Sequence, residues 1–141
     1  GFLNPVEGTT LTIPSTATKV ITVGAYDARF DQAAAFSGRG YTRATNQVKP
    51  DLVAPGVEIM SCAPGGGYQV RTGTSMATPF VTGSAALLMQ WGIVNGNDAY
   101  LYGEKMKAYL IRGARKLPGF TVYPNPVLGW GALCTANSIP R

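Results

Sequence analysis

The alternation of hydrophobic and polar positions divides this chain into short strands followed by two helices. Its longest feature lies between Arg71 and Asp98, where no residue is charged. Within it, Phe80-Val81-Thr82-Gly83-Ser84-Ala85-Ala86-Leu87-Leu88-Met89-Gln90-Trp91 reads as a helix apolar on every side, which belongs in the middle of a sizeable core. That helix is expected over 74–91, with Pro79 in its first turn, where a missing N–H is tolerated. Upstream, 1–18 is rich in Pro and Thr and reads as an extended leading segment. Strands and a hairpin are expected over 19–72. Residues 19–26 carry β-branched side chains and suit a strand buried on both faces of a parallel sheet. Residues 27–46 read mostly as loop around Ser37-Gly38-Arg39-Gly40. A second short strand, 52–54, stops at Pro55-Gly56. The runs 57–63 and 68–72 bracket Pro64-Gly65-Gly66-Gly67 and predict a hairpin.

Past the loop Asn95-Gly96-Asn97, a second helix is predicted over 98–116, capped by Asn97 or Asp98. Tyr102, Met106, Tyr109, Leu110 and Gly113 mark its apolar face, with Lys105, Lys107 and Arg112 outside. Arg115 and Lys116 fall where cations favour a helix C-terminus. Pro118-Gly119 ends it, and 117–141 closes the chain.

Composition narrows the class. A length of 141 residues suits one domain, and 45% hydrophobic against 13% charged residues implies more buried area than a stand-alone domain of this size normally has. The net charge of +5 comes from scattered lysines and arginines, which read as a solvated face and not as a nucleic-acid patch. Cys62 and Cys134 are far apart and lack metal spacing, so two free thiols are expected. No zinc, phosphate-loop or dinucleotide pattern is present, and no cofactor is expected. Gly1-Phe2-Leu3-Asn4-Pro5 lacks the basic start of a signal peptide. The uncharged run carries Pro79, Gly83, several hydroxyls and Gln90. Its strictly apolar stretches are shorter than the roughly 20 residues of a membrane span.

Candidate chemistry centres on Gly73-Thr74-Ser75-Met76-Ala77-Thr78-Pro79, which places a hydroxyl on a glycine turn at the start of the long helix. Unpaired amides there can stabilise an anion beside a rigidly held nucleophile. The plain alternative makes Thr74 or Ser75 an ordinary N-cap. A serine nucleophile needs a base, usually a histidine oriented by a carboxylate, and this chain has no histidine. An α/β-hydrolase elbow would require that histidine after the serine, and 76–141 contains none. A Ser-x-x-Lys site would need lysine where Thr78 stands.

The same heptapeptide resembles the active-site serine segment of the subtilisin-like serine proteases, the subtilases. The likeness continues through Pro14-Ser15-Thr16-Ala17-Thr18-Lys19-Val20-Ile21-Thr22-Val23-Gly24-Ala25 and Phe36-Ser37-Gly38-Arg39-Gly40. It extends through Lys49-Pro50-Asp51-Leu52-Val53-Ala54-Pro55-Gly56-Val57-Glu58-Ile59 to Gly129-Trp130-Gly131-Ala132-Leu133. Leu3-Asn4-Pro5, residues 10–17 and the Leu87-Leu88-Met89-Gln90-Trp91 ending look most like a clostridial branch that includes proteases of spore germination. A secreted or spore-associated protein is the expectation that follows.

This resemblance implies the C-terminal part of a catalytic domain with a three-layer α/β fold, a mainly parallel sheet and a buried central helix starting at the nucleophile. In the subtilisin order Asp and His precede Ser, so both would lie on an upstream half of the same polypeptide. Ser75 would be the nucleophile and its backbone N–H part of the oxyanion hole. The upstream part would also hold the asparagine arm of that hole. Peptide or protein would be the substrate, with neither nucleic acid nor membrane as partner. The isolated chain would be inactive and prone to self-association. Thr72 stands where the family often has asparagine, and Phe80 where it often has a non-catalytic histidine. Gly73 supplies either backbone freedom or close substrate approach. Thr74 caps the helix or supports the turn. Met76 borders the leaving group or fills the core. Asp27 and Asp51 fall in segments matching non-catalytic parts of the family. Structural calcium is possible in a full-length enzyme, but no carboxylate cluster here forms a site unaided. The other readings are a catalytically incomplete pseudoprotease and a self-assembling structural domain.

Overall fold

Two short parallel strands carry the long helix across their face, and this arrangement sets where Ser75 lies. The computed structural model describes residues 3–140; residues 1, 2 and 141, at the ends of the leading and closing segments, lie outside the described residues. Strand β1 (Val23–Asp27) pairs in parallel with β3 (Leu52–Pro55), in the register Val23 to Leu52 and Ala25 to Ala54. Strand β2 (Gln32–Ala33) pairs antiparallel with β1 through Tyr26 and Ala33, giving the order β2-β1-β3. On the free side of β3, Val53 N–H donates to Gly131 O at 2.9 Å and Leu133 N–H donates to Val53 O at 2.8 Å. The closing segment thereby extends the sheet by one bridge. Strands β4 (Ile59–Cys62) and β5 (Tyr68–Arg71) form a separate antiparallel hairpin, with Met60 opposite Val70.

The sheet is buried on both faces because β1 and β3 are short runs of small and branched side chains. Ala25, Leu52, Val53 and Ala54 are fully buried. One face receives helix α1 (Thr74–Met89), whose Ala77, Val81, Ser84 and Leu88 form the packed stripe. Their spacing of three to four residues puts them on one side of the helix. Burying a side chain such as Leu88 stabilises the fold by about 1.5–3 kcal/mol. The other face is covered by Leu117, Leu128 and Ala132, packed with Tyr26 and Val53. The architecture is α/β.

Helix α1 departs from the expected all-round burial: Phe80 is 42% and Leu87 52% exposed. The sheet covers one stripe, and these two side chains lie uncovered on its flank. Past Met89 the helix widens into a π turn over Gln90–Val94. The resulting Thr74–Val94 span is long and apolar enough to cross a membrane by length and composition, with mean hydropathy 1.2, so helix length does not exclude a span as the apolar-run argument did. Pro79 is the sixth residue of α1, in its second turn and not its first, and leaves Ser75 C=O without its i+4 donor.

The second helix, α2 (Gly103–Gly113), is shorter than 98–116. Neither Asn97 nor Asp98 caps it. The Asp98 carboxylate accepts from Lys105 Nζ at 2.7 Å and from Tyr109 OH at 3.0 Å, holding 98–102 as a turn over buried Leu101. Tyr102, expected on the apolar face, is exposed. At the other end Arg115 leaves the helix, bridges Ala132 and pairs with Asp31 at 2.6 Å, so it is not a helix-terminal cation. Lys107, expected outside, reaches inward to Asp51 Oδ1 at 2.7 Å. A four-residue helix, α3 (Thr135–Ser138), has no period long enough to be read from sequence, and Thr135 Oγ1 meets Ser84 Oγ at 2.6 Å.

Candidate active site

Ser75 sits at the end of a path that β3 and the hairpin fix at two points. At the first, Gly73 N–H donates to Gly56 O at 2.8 Å, just past the end of β3. A Cβ on Gly56 would stand 2.6 Å from Ala25 Cβ and 2.9 Å from Gly73 O, so this approach requires glycine. At the second, Thr72 Oγ1 accepts the N–H of Glu58 at 2.9 Å, which ties the end of β5 to the start of β4. Thr72 therefore holds the hairpin closed beneath the turn. Gly73 follows with φ of 156°, a conformation that side-chain-bearing residues rarely adopt. The space around it is open enough for a Cβ, with Met76 Sδ at 3.5 Å, so the dihedral and not crowding calls for glycine.

Helix α1 then begins with Gly73 as N-cap and with no side-chain capping bond. Neither Thr74 nor Ser75 acts as the ordinary cap that a plain reading would give them. Ser75 is exposed, and none of the side-chain hydrogen bonds among the described residues involves its hydroxyl. Met76 N–H donates to Gly73 O at 3.0 Å, whereas the N–H groups of Thr74 and Ser75 meet no described carbonyl. A free hydroxyl thus lies beside free amides at the positive end of a 16-residue helix.

A groove of about 310 Å³ opens beside it, walled by Ile59, Met60 and Ser61 of β4 and by Ser75, Met76, Pro79 and Phe80 of α1. The wall from β4 was not found by sequence reasoning. The hairpin was legible, but the fold that lays it against α1 has no local signature. On the other side of the turn, Thr74 closes a second depression of about 300 Å³ with Thr10, Leu11, Thr12 and Phe36 among its walls. Met76 is half-buried and lines the Ser75 groove, so it does more than fill the core.

The two aspartates of the matching segments are engaged elsewhere, and neither lines this groove. Asp27 accepts from Arg29 at 2.7 Å, and that hydrogen bond holds its carboxyl below the usual carboxylate range. Asp51 accepts from Thr22 N–H and Lys49 Nζ, each at 2.7 Å, and from Lys107. Lys49 is only 2% exposed, and burial, partly offset by the hydrogen bond to Asp51, pushes its ammonium below the ordinary lysine range. Cys62 is exposed and Cys134 half-buried, both as free thiols. Among the described residues no three His, Cys, Asp or Glu side chains gather where they could hold a metal ion.

The Subtilase family pattern matches residues 3–131, a stretch that includes both anchors, the turn and all of α1. The chain belongs to the Subtilase family. It is 34% identical to the serine protease AprX of Bacillus subtilis over 154 aligned residues, covering 95% of this chain and 33% of AprX. Against subtilisin from Bacillus pumilus it is 43% identical over 85 residues, covering 59% of this chain and 28% of subtilisin. The structure of the Clostridium perfringens CspB protease superposes with a TM-score of 0.91 at 47% identity, over 96% of this chain and 29% of that one. That neighbour agrees with the clostridial likeness read from the leading segment. The chain spans about a third of the length of AprX and CspB.

Proposed function

We propose that this chain forms the C-terminal part of the catalytic domain of a serine endopeptidase, with Ser75 as its nucleophile. The observation that carries the reading is the exposed, unbonded Ser75 hydroxyl beside the unpaired Thr74 and Ser75 amides at the start of α1. A histidine on the upstream half of the same polypeptide would take the Ser75 proton, oriented by an aspartate also upstream. Ser75 Oγ would then attack a peptide carbonyl, and the Ser75 N–H would donate to the tetrahedral oxyanion. Collapse would release the amine product and leave an acyl-enzyme, which water cleaves. The rigid anchors at Gly56 and Thr72 hold the hydroxyl in place through this cycle.

The uncovered side of α1 supports the same reading. Phe80 and Leu87 lie exposed on one flank of the packed stripe and Met89 on the other, a pattern that fits a core helix covered on further sides by another part of the protein. We assign that cover to the upstream half and not to a lipid bilayer. Ala77, Val81, Ser84 and Leu88 of the same helix are already packed against the sheet, as in the interior of a globular α/β domain.

Fluorophosphonate labelling of the full-length parent tests the assignment. One label per chain on the peptide containing Ser75, absent in Ser75→Ala, is expected. No labelling in a folded parent that still binds peptides would replace this reading with that of a catalytically incomplete relative.

A further inference from the structure

The groove at Ser75 continues past Met76 into a further depression of about 260 Å³, and the two share Ile59, Ser61 and Met76 as walls. Arg71 and Gln69 of β5 line this continuation with Cys62 and Pro64. Apart from Arg71, every residue in both walls is uncharged. Arg71 is exposed, its side chain makes one hydrogen bond among the described residues, to Gln69 Oε1 at 3.3 Å, and it forms no ion pair there. The acid adjoining these walls in sequence, Glu58, is bonded instead to Arg29. A guanidinium left without a carboxylate, at the rim of a neutral groove leading to a nucleophile, is matched to one brought by a ligand. Its planar fork of donors fits a carboxylate better than an ammonium could.

We propose that Arg71 is a specificity-determining residue that receives an acidic side chain of the peptide held at Ser75. This deepens, and rests on, the peptidase reading of that groove. Arg71 Cα and Ser75 Cα are four chain steps apart, at most about 14 Å even when fully extended. The acidic residue therefore falls within about four positions of the scissile bond in an extended peptide. Gln69 orients the guanidinium from one edge and leaves its other N–H groups for the ligand.

The test uses the full-length parent and peptides that share one cleavable core. Glu, Gln or Lys is placed in turn at each of four positions on either side of the scissile bond. At one position kcat/KM is expected to favour Glu over Lys by on the order of fivefold, as befits a solvent-exposed charge pair. Arg71→Glu inverts that ranking at the same position, and Arg71→Gln flattens it. Fluorescence anisotropy of the same peptides on the Ser75→Ala form reads the preference without turnover. A flat or Lys-favouring profile at all positions, or a Glu preference that survives in Arg71→Glu, overturns the assignment. Arg71-dependent binding of acidic peptides by a parent that cleaves none would uphold Arg71 and sink the peptidase reading.

Discussion

Gly56 and Gly73 meet backbone to backbone, with Gly73 N–H donating to Gly56 O at 2.8 Å, and no side chain fits at the Gly56 end of the contact. This links the C-terminal end of a buried strand to the turn that presents Ser75. A Cβ at position 56 must displace either Ala25 in the sheet or the Gly73 carbonyl. Gly56→Ala is therefore expected to destabilise the parent by about 1–3 kcal/mol, the range for overpacking a close-packed site. It should also lower turnover beyond what the stability loss explains, because the turn moves with it. Urea midpoints read the first effect and kcat on folded enzyme the second. A variant with wild-type values of both would show that the contact does not hold the turn.

Much of this arrangement was legible in the sequence where local chemistry dictates it. Strands near 19–26 and 52–54 were legible from branched residues, but β1 starts only at Val23 and runs through Gly24, and β3 includes Pro55; the hairpin follows from its glycine tip. The turn before Ser75 was readable from Gly73. The second helix was overextended at its start because Asp98 looks like a cap in sequence, and at its end because Arg115 bridges Ala132 instead. In space it is a partner for Lys105 and Tyr109. Lys107 looked like a surface cation for the same reason: its carboxylate, Asp51, is distant in sequence. Long-range pairing, not local propensity, decided these positions.

Asp51 is the shared anion of two inward-reaching lysines, and removing it leaves both uncompensated. Asp51→Asn should cost about 3–5 kcal/mol. Lys49→Met keeps the Asp51 bonds to Thr22 N–H and Lys107 and removes a desolvated cation, so its cost should stay within about 1 kcal/mol. The pH dependence has a definite sign. Burial holds Lys49 below its ordinary value of 10.5, so the native state loses this proton at lower pH than the unfolded chain does. In that window the unfolded state binds more protons, and this group adds stability as pH rises, fully so above 10.5. Denaturant titrations of wild type and Lys49→Met across alkaline pH should show the difference. A wild-type advantage that falls with pH would contradict it.

Met76 lines both the Ser75 groove and its continuation. Oxidation would add a polar oxygen where substrate must pass. Peroxide should inactivate the parent partially, with one oxygen added at Met76, and Met76→Ala should be resistant. Equal sensitivity of the two proteins would place the damage elsewhere.

The isolated 141 residues carry no histidine. General-base assistance is worth about 10²–10⁴-fold and an oxyanion-hole donor about 10²–10³-fold. This chain alone should therefore show no measurable peptidase activity and no Ser75-dependent fluorophosphonate labelling. Its uncovered Phe80, Leu87 and Met89 should drive self-association, visible as a molar mass that rises with concentration in light scattering. A stable monomer at high concentration would argue against an unpartnered helix face.

With Ser75 as the proposed nucleophile, the decisive comparison is kcat/KM of the full-length parent against its Ser75→Ala form. Removal of the nucleophile should abolish essentially all turnover while peptide binding and the unfolding transition stay in place. As in subtilisin, binding and the oxyanion hole alone would leave a residual enhancement of about 10³–10⁴ over water. Cleavage by Ser75→Ala at a rate near wild type would rule Ser75 out as the nucleophile.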